Sequence, residues 1–187
     1  IVFHMWLQWI AHGQLADAQA RARAAGMRIG LYLDLAVGVA PDGASTWSEP
    51  ENVLRGVRVG SPPDAFNTDG QDWGLAPLSP QALEADHGRL FGQVICEAIG
   101  PAAALRIDHA MALMRLYLIP AERDSTDGSY VRYPLDEMLQ ALSGASQDAR
   151  AIVIGEDLGN VPANFREIMR AARILGYRVL FFEREQD

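Results

Sequence analysis

The chain has 187 residues, of which 49% are hydrophobic and 21% are charged, a balance typical of a folded globular protein rather than a disordered one. The formal net charge of −8 disfavours a nucleic acid or an anionic membrane as the partner, so a neutral or cationic ligand is favoured. The single cysteine, Cys96, excludes an internal disulfide and a cysteine-rich metal site and is compatible with the cytoplasm, the location that we expect.

The chain begins without an initiator methionine, and both ends lie within patterned apolar segments, so we expect a fragment of a longer protein. The apolar start, "IVFHMWLQWI", is too short to span a bilayer and has neither a basic flank nor a small-residue cleavage site. No signal peptide is therefore expected.

The first half of the chain predicts one helix, one strand and one long connection. Apolar residues recur at helical spacing over residues 3–25, and Gly26 stands where a helix commonly ends. Residues 27–37 form an apolar run that predicts a buried strand and contains Asp34. Residues 38–80 are rich in Gly, Pro, Asp and Ser, and a connection of that length is usually functional.

The second half predicts three further strands separated by helices. Ser79 and Pro80 are typical of a helix start, and the helix that follows leads to a strand at residues 104–110. A helix lies between Pro134 and Gly144, a third strand covers residues 151–157, and a helix over 162–175 precedes a fourth strand at 177–183.

The alternation of strands and helices indicates βαβ units with a parallel sheet. An open nucleotide-binding sheet would need a Gly-x-Gly-x-x-Gly turn, and the sequence contains neither this motif nor a P-loop. Three predicted strands instead lead into acids, Asp34, Asp108 and Glu156, which would converge at the mouth of a closed barrel. We therefore predict an α/β fold, part of a TIM-type (β/α) barrel with a long insertion at residues 38–80.

Converging acids have three common uses: metal binding, a structural ion pair, or a division of acid/base and nucleophilic roles. Arg106 precedes Asp108 by two residues, so both side chains point to the same side and the guanidinium can hold the carboxylate ionised. Glu156 follows an apolar run and Gly155, where partial burial would raise its pKa toward that of a general acid. These features favour catalysis, although an all-oxygen magnesium site stays open.

The long connection contains "SPPDAFNTDGQDWGLAP" at residues 61–77, in which Phe66 and Trp73 alternate with Asp64 and Gln71. Aromatic faces combined with planar polar groups suit a sugar ligand, since sugar rings stack on the former and hydroxyls bond to the latter. A tryptophan that simply covers the core is the alternative reading of this loop.

Five ordered motifs resemble one family over nearly the whole chain. "LRIDH" (105–109) is similar to the fourth-strand motif of the α-amylase superfamily, and "IGEDLGNVP" (154–162) is similar to the fifth-strand motif of the 4-α-glucanotransferases. "QWIAHGQLADAQA" (8–20), "GLYLDLAVGVA" (30–40) and the 61–77 segment resemble the same family in the same order.

The resemblance implies a retaining double displacement on α-1,4-glucans without a cofactor. Asp108 would be the nucleophile, Glu156 the acid/base and Arg106 the residue that orients Asp108. The resemblance also implies substrate-binding residues, which are Asp34, Asp64, Phe66, Gln71, Trp73, His109 and Asp157.

Three functions remain open on the sequence. The first is glucan transfer to the 4-hydroxyl of an acceptor, the second is hydrolysis by an enzyme of the same superfamily, and the third is a non-catalytic glucan-binding remnant of a barrel. The resemblance implies a third catalytic aspartate beyond residue 187, so we expect the chain alone to be inactive and marginally stable.

Overall fold

The computed structural model describes residues 1–180, in which eight strands and six α-helices form a mixed α/β fold. The strands are β1 (Tyr32–Leu35), β2 (Val57–Ser61), β3 (Gln71–Leu75), β4 (Ala104–Ile107), β5 (Arg115–Pro120), β6 (Ser129–Arg132), β7 (Ile152–Gly155) and β8 (Leu175–Gly176). The helices are α1 (Val2–Ala24), α2 (Ala44–Ser48), α3 (Pro80–Ala85), α4 (Arg89–Ile99), α5 (Leu135–Ala149) and α6 (Phe165–Ala171). Short 3-10 turns lie at Pro50–Asn52, Ala110–Leu113 and Ser125–Asp127.

The predicted parallel sheet is confirmed. It has four strands in the order β1-β4-β7-β8, and every neighbouring pair is parallel. The central strand β4 reads "ALRI", and its Ala104, Leu105 and Ile107 are buried, as is usual for a strand inside a parallel sheet. Within residues 1–180, these four strands do not close into a barrel.

Helices α4 and α5 pack against each other, and α4 also contacts β1 and β4. Their apolar faces bury Leu90, Phe91, Ile95, Met138 and Leu142 in one hydrophobic core with the inward residues of the sheet. This core leaves the carboxyl ends of β4 and β7 on the surface of a cleft, where the polar residues begin.

The long connection predicted at residues 38–80 contains regular structure that the sequence did not predict. Strands β2 and β3 lie in this segment and join β5 and β6 in a second, antiparallel sheet of order β3-β2-β5-β6. The sequence signal is weak because β2 is irregular: its register shifts between Val59 and Gly60, and a Cβ on Gly60 would clash with the carbonyl of Gln71. Strands β5 and β6 were also not predicted.

Two predicted elements change. The helix after Ser79 is two helices, α3 and α4, separated at His87 and Gly88, whose φ angles are 56° and 74°. The Ser79 cap is confirmed, since its hydroxyl accepts the Ala82 N–H at 3.2 Å. The fourth strand was predicted at residues 177–183, but the structure has a strand, β8, at residues 175–176 and none at residues 177–180. Residues 181–183 of that prediction lie outside the described residues.

Candidate active site

Asp108 and Glu156 occupy equivalent positions at the ends of adjacent parallel strands. Ile107 pairs with Gly155 at the end of the β4–β7 register, and each acid is the next residue of its strand. The Glu156 N–H extends the ladder by donating to the Ile107 carbonyl at 2.9 Å. Neighbouring strands lie about 4.8 Å apart, so the backbones that carry the two carboxylates are held at that spacing.

Arg106 links two of the three predicted strand-end acids. Its Nη1 lies 2.7 Å from both carboxylate oxygens of Asp34, and its Nη2 lies 2.8 Å from Asp108 Oδ1. Asp34 is the cross-strand partner of Arg106 in β1, while Asp108 lies two residues further along the same strand. The predicted arginine–carboxylate contact at Asp108 is therefore present, and Asp34 supports it from the neighbouring strand.

The surroundings of Arg106 stabilise the charged form of its guanidinium group. Burial opposes ionisation, but the hydrogen bond with Asp34 and the charges of Asp108 and Asp34 outweigh it and raise the pKa of Arg106 above its ordinary value. The guanidinium carbon also lies 5.7 Å from the centre of the Tyr177 ring, which adds a cation–π contact. Arg106 is thus a permanent positive charge beside Asp108.

Glu156 has a different environment, in which backbone groups hold its carboxylate. Oε2 accepts the His109 N–H at 2.9 Å, and Oε1 accepts the Leu158 N–H at 3.1 Å. Burial raises the pKa of Glu156, as does the charge of Asp108, whereas the two N–H groups and Arg106 act in the opposite direction with a smaller total effect. The glutamate therefore keeps its proton to higher pH than an exposed one, as the sequence predicted.

His109 connects the acids to the aromatic part of the site. Its backbone has φ 46°, in the left-handed region that a histidine seldom occupies, and this turn aims its N–H at Glu156. The imidazole meets the Trp73 ring edge-on, with 5.2 Å between ring centres. Burial lowers the pKa of His109 although the charge of Asp108 opposes this, so the ring is neutral at neutral pH.

Residues of the 61–77 segment form one wall of the site. Trp73 Nε1 donates to Gln71 Oε1 at 3.0 Å, which orients both side chains of strand β3. The Asp64 carboxylate accepts the N–H groups of Phe66 and Asn67 at 2.7 Å each and so shapes its own turn. Phe66 is 86% exposed.

A cleft of about 780 Å³ contains all but two of the predicted site residues. The predicted residues that line it are Asp64, Phe66, Gln71, Trp73, Arg106, Asp108, His109 and Glu156. The chain thus brings together side chains that are up to 92 positions apart in the sequence, from Asp64 to Glu156.

Asp34 and Asp157 lie outside the lining of this cleft. Asp34 reaches it only through Arg106. Asp157 is 5% exposed, and its two carboxylate oxygens accept Arg166 Nε at 2.7 Å and the Tyr177 N–H at 2.9 Å. The adjacent acids of "GED" therefore point to different places, Glu156 to the cleft and Asp157 to an internal ion pair.

The cleft also contains residues that the sequence did not single out, chiefly Tyr130 on β6 and Asn160 after Glu156. Asn160 lies within a quoted motif, but its type alone indicated no contact. Tyr130 could not be found from periodicity because β6 itself was not recognised.

Over residues 1–180, no group of three or more His, Cys, Asp or Glu side chains is placed to hold a metal ion. Within the same range, none of the helices has the length and apolar character needed to cross a membrane.

Two carboxylates at adjacent strand ends, one beside an arginine and one half-buried, form the arrangement expected of an enzyme that cleaves glycosidic bonds. The chain belongs to the 4-alpha-glucanotransferase family, whose sequence profile matches residues 1–187. The resemblance drawn from the five motifs is thereby confirmed.

Relatives in two bacteria illustrate the match. The 4-alpha-glucanotransferase of Mycobacterium tuberculosis (strain H37Rv) is 43% identical over 185 residues, and that of Haemophilus influenzae is 38% identical over 182 residues. These alignments cover 99% and 97% of the chain, respectively, but only 26% of either relative. The chain thus spans about a quarter of the length of the curated relatives that it matches.

Solved structures agree. The amylomaltase of Corynebacterium glutamicum superposes with a TM-score of 0.90 at 37% identity, over 97% of this chain and 26% of that one. The amylomaltase of Streptococcus agalactiae in complex with acarbose superposes with a TM-score of 0.85 over 96% of this chain and 37% of that one. Its 21% identity supports the fold alone.

Proposed function

We propose that this chain is the central part of a 4-α-glucanotransferase that transfers α-1,4-glucan segments to the 4-hydroxyl of an acceptor glucan or glucose. The observation that carries the proposal is the pair Asp108 and Glu156, adjacent at the ends of two parallel strands and in opposite electrostatic environments. Side chains on neighbouring strands, whose backbones lie about 4.8 Å apart, are within reach of the roughly 5–5.5 Å carboxyl separation of retaining enzymes, so the pair is compatible with a double displacement.

In this reaction the Asp108 carboxylate attacks the anomeric carbon of the donor while the bond to the leaving sugar breaks. The contact of Arg106 Nη2 with Asp108 Oδ1 supports this role, because it orients the carboxylate and compensates its charge before it becomes the ester of the glycosyl-enzyme. Asp34 binds the other side of the guanidinium and so keeps Arg106 in place.

Glu156 donates its proton to the departing glycosidic oxygen and then removes a proton from the incoming 4-hydroxyl. Its raised pKa suits the first step, since a protonated carboxyl is needed at the working pH. The N–H groups of His109 and Leu158 suit the second step because they stabilise the carboxylate that the first step leaves.

The cleft wall formed by Trp73, Gln71, Phe66 and Asp64 is proposed to bind the glucan, with His109 beside the bond that reacts. The exposed Phe66 ring, the partly buried Trp73 ring and the amide of Gln71, which Trp73 orients, supply the apolar and polar contacts that a sugar needs. Asp157, which is buried and bound by the Arg166 guanidinium, is proposed to support the site rather than touch the substrate.

We also propose that the parallel sheet is the middle of a (β/α) barrel whose remaining strands, with a third catalytic aspartate, lie outside this chain. The chain alone would then be inactive. We also propose that the enzyme is cytoplasmic and has neither nucleic-acid nor membrane partners, in line with its charge and single cysteine.

The test uses the full-length protein with maltotriose. Transfer yields glucose together with longer maltodextrins, whereas a hydrolase yields only shorter sugars, and a binding remnant yields neither. Asp108→Asn and Glu156→Gln should each lower turnover by at least about 10³-fold, the scale for loss of a nucleophile or an acid/base group.

Asp148→Asn and Glu167→Gln serve as matched controls, since they make the same chemical changes at exposed positions of α5 and α6. Their activity should equal that of the wild type. Unchanged turnover in Asp108→Asn or Glu156→Gln would reject the assigned roles.

A further inference from the structure

Tyr130 and Asn160 form a polar pair in the cleft that the proposed chemistry does not use. Tyr130 lies on β6 of the antiparallel sheet, whereas Asn160 lies in the segment that follows Glu156. Asn160 Nδ2 donates to the Tyr130 hydroxyl at 3.1 Å, and both residues line the cleft. The pair therefore joins the two sheets beside the acid/base.

The ring of Tyr130 is held on two sides. The guanidinium carbon of Arg115 lies 4.1 Å from its centre, and the Tyr117 ring packs against it edge-on at 5.3 Å between centres. Arg115 Nη2 also lies 3.5 Å from Asn160 Oδ1, which sets the orientation of the amide. Both polar groups are thus positioned before any ligand binds.

The pair has hydrogen-bonding capacity left over. The Tyr130 hydroxyl accepts from Asn160, and its own O–H has no acceptor among residues 1–180. Nδ2 of an asparagine carries a second N–H, so each member can donate one bond into the cleft. Burial raises the pKa of Tyr130 although Arg115 and Asn160 oppose this, so the hydroxyl keeps its proton at neutral pH.

We propose that Tyr130 and Asn160 form a subsite that binds the vicinal 2- and 3-hydroxyls of one glucose unit of the glucan. Two donors whose heavy atoms lie 3.1 Å apart match two hydroxyls on neighbouring carbons, and the 2,3-diol is the vicinal pair that an α-1,4-linked unit leaves free. Asn160 lies four residues after Glu156, at most about 14 Å along an extended chain, so the bound unit is close to the bond that reacts.

The subsite rests on the proposed function, because it presumes that the cleft holds a glucan. It goes beyond that function by naming two further binding residues and the hydroxyls that they recognise. A test by affinity, without turnover, keeps the two proposals separate.

Affinity for maltoheptaose is measured by calorimetry in the full-length Asp108→Asn protein, which cannot consume the ligand by the proposed route. Tyr130→Phe, which keeps the ring contacts with Arg115 and Tyr117, and Asn160→Ala should each weaken binding about three- to tenfold, the scale of one neutral hydrogen bond. The double variant should lose less than the product of the two single losses, because the residues act as one unit.

Tyr117→Phe is the matched control. It removes a hydroxyl from the same sheet, but that hydroxyl donates to the Ser125 carbonyl at 2.8 Å and does not line the cleft. Its affinity for maltoheptaose should equal that of the parent protein.

Unchanged affinity in both Tyr130→Phe and Asn160→Ala would overturn the subsite. So would a loss that is matched by Tyr117→Phe, or one that accompanies an equal fall of the thermal midpoint, since either would indicate a structural role. Absence of transfer in the wild-type protein would instead reject the proposed function, and binding of maltoheptaose would still decide the subsite.

Discussion

The Glu156 carboxylate accepts the backbone N–H of His109 at 2.9 Å, and His109 directly follows Asp108. The turn that ends β4 therefore sets the position of both acids: it carries one in its side chain and binds the other through its main chain. Because a left-handed backbone is uncommon for histidine, the arrangement is maintained by its surroundings, including the Trp73 contact.

The charges on either side of Glu156 predict opposite shifts of its pKa. Asp108 raises it, so Asp108→Asn should lower the pKa of Glu156, whereas Arg106 lowers it, so Arg106→Met should raise it. Infrared titration of the carboxylate band in the full-length protein, with Glu156→Gln to identify the signal, measures both. Asp148→Asn removes a negative charge from exposed α5 and should leave the value unchanged. Shifts of the same sign in the two cleft variants would contradict this account.

The raised pKa also has a consequence for stability. An acid whose pKa is higher in the folded state binds its proton more tightly there, so its stabilising contribution is complete below the unfolded pKa. This contribution is lost as the pH rises through the folded pKa. Above the folded pKa, Glu156 is ionised, which is the form that a general base requires, and this ionised form lowers the stability of the folded protein.

Gly155 is required by the close packing behind the acids. A Cβ at this position would lie 2.6 Å from Met169 Cε and 2.9 Å from Ala110 Cβ. Met169 can move, but Ala110 donates its N–H to the Glu156 carbonyl at 2.8 Å and belongs to the turn after His109. Gly155→Ala should cost about 1–3 kcal/mol of unfolding free energy, as overpacked cores do, and should lower kcat.

The control for this substitution is Gly144→Ala. Gly144 lies within α5 with nothing within 4 Å of an added Cβ, so alanine should stabilise the helix by about 0.5–1 kcal/mol. Urea unfolding of the full-length proteins compares the two variants. Equal changes of unfolding free energy in Gly155→Ala and Gly144→Ala would contradict the proposed close packing at the end of β7.

The parallel part of the fold and the positions of Asp108 and Glu156 at strand ends were predictable because each depends on local patterns. An apolar run that ends in an acid specifies both a buried strand and the place where its polar residue emerges, as at Asp108 and Glu156. The antiparallel sheet was not predictable, since β2 pairs with β5, a strand that begins 54 residues after β2 ends, and Gly60 interrupts the pattern of β2. Tyr130 was missed for the same reason.

The separation of Asp157 from Glu156 shows a limit of another kind. Adjacent acids at a strand end have the same local signal, and their roles differ only because Arg166 from α6 reaches one of them. That contact depends on where α6 packs, and spacing along the sequence does not determine it.

The ion pair of Asp157 and Arg166 yields the last prediction. Arg166→Met removes the guanidinium that pairs with the buried Asp157 carboxylate, which keeps its hydrogen bond from the Tyr177 N–H, and should cost about 1–2 kcal/mol of unfolding free energy. The cost is below that of a fully buried pair because the Arg166 side chain is 60% exposed. Adding Asp157→Asn should recover part of the lost unfolding free energy, since the uncompensated charge is gone.

The control is Arg89→Met, which breaks an exposed 3.9 Å contact with Asp86 and should change the unfolding free energy by less than about 0.5 kcal/mol. An equal loss of unfolding free energy in Arg166→Met and Arg89→Met would contradict the role of burial.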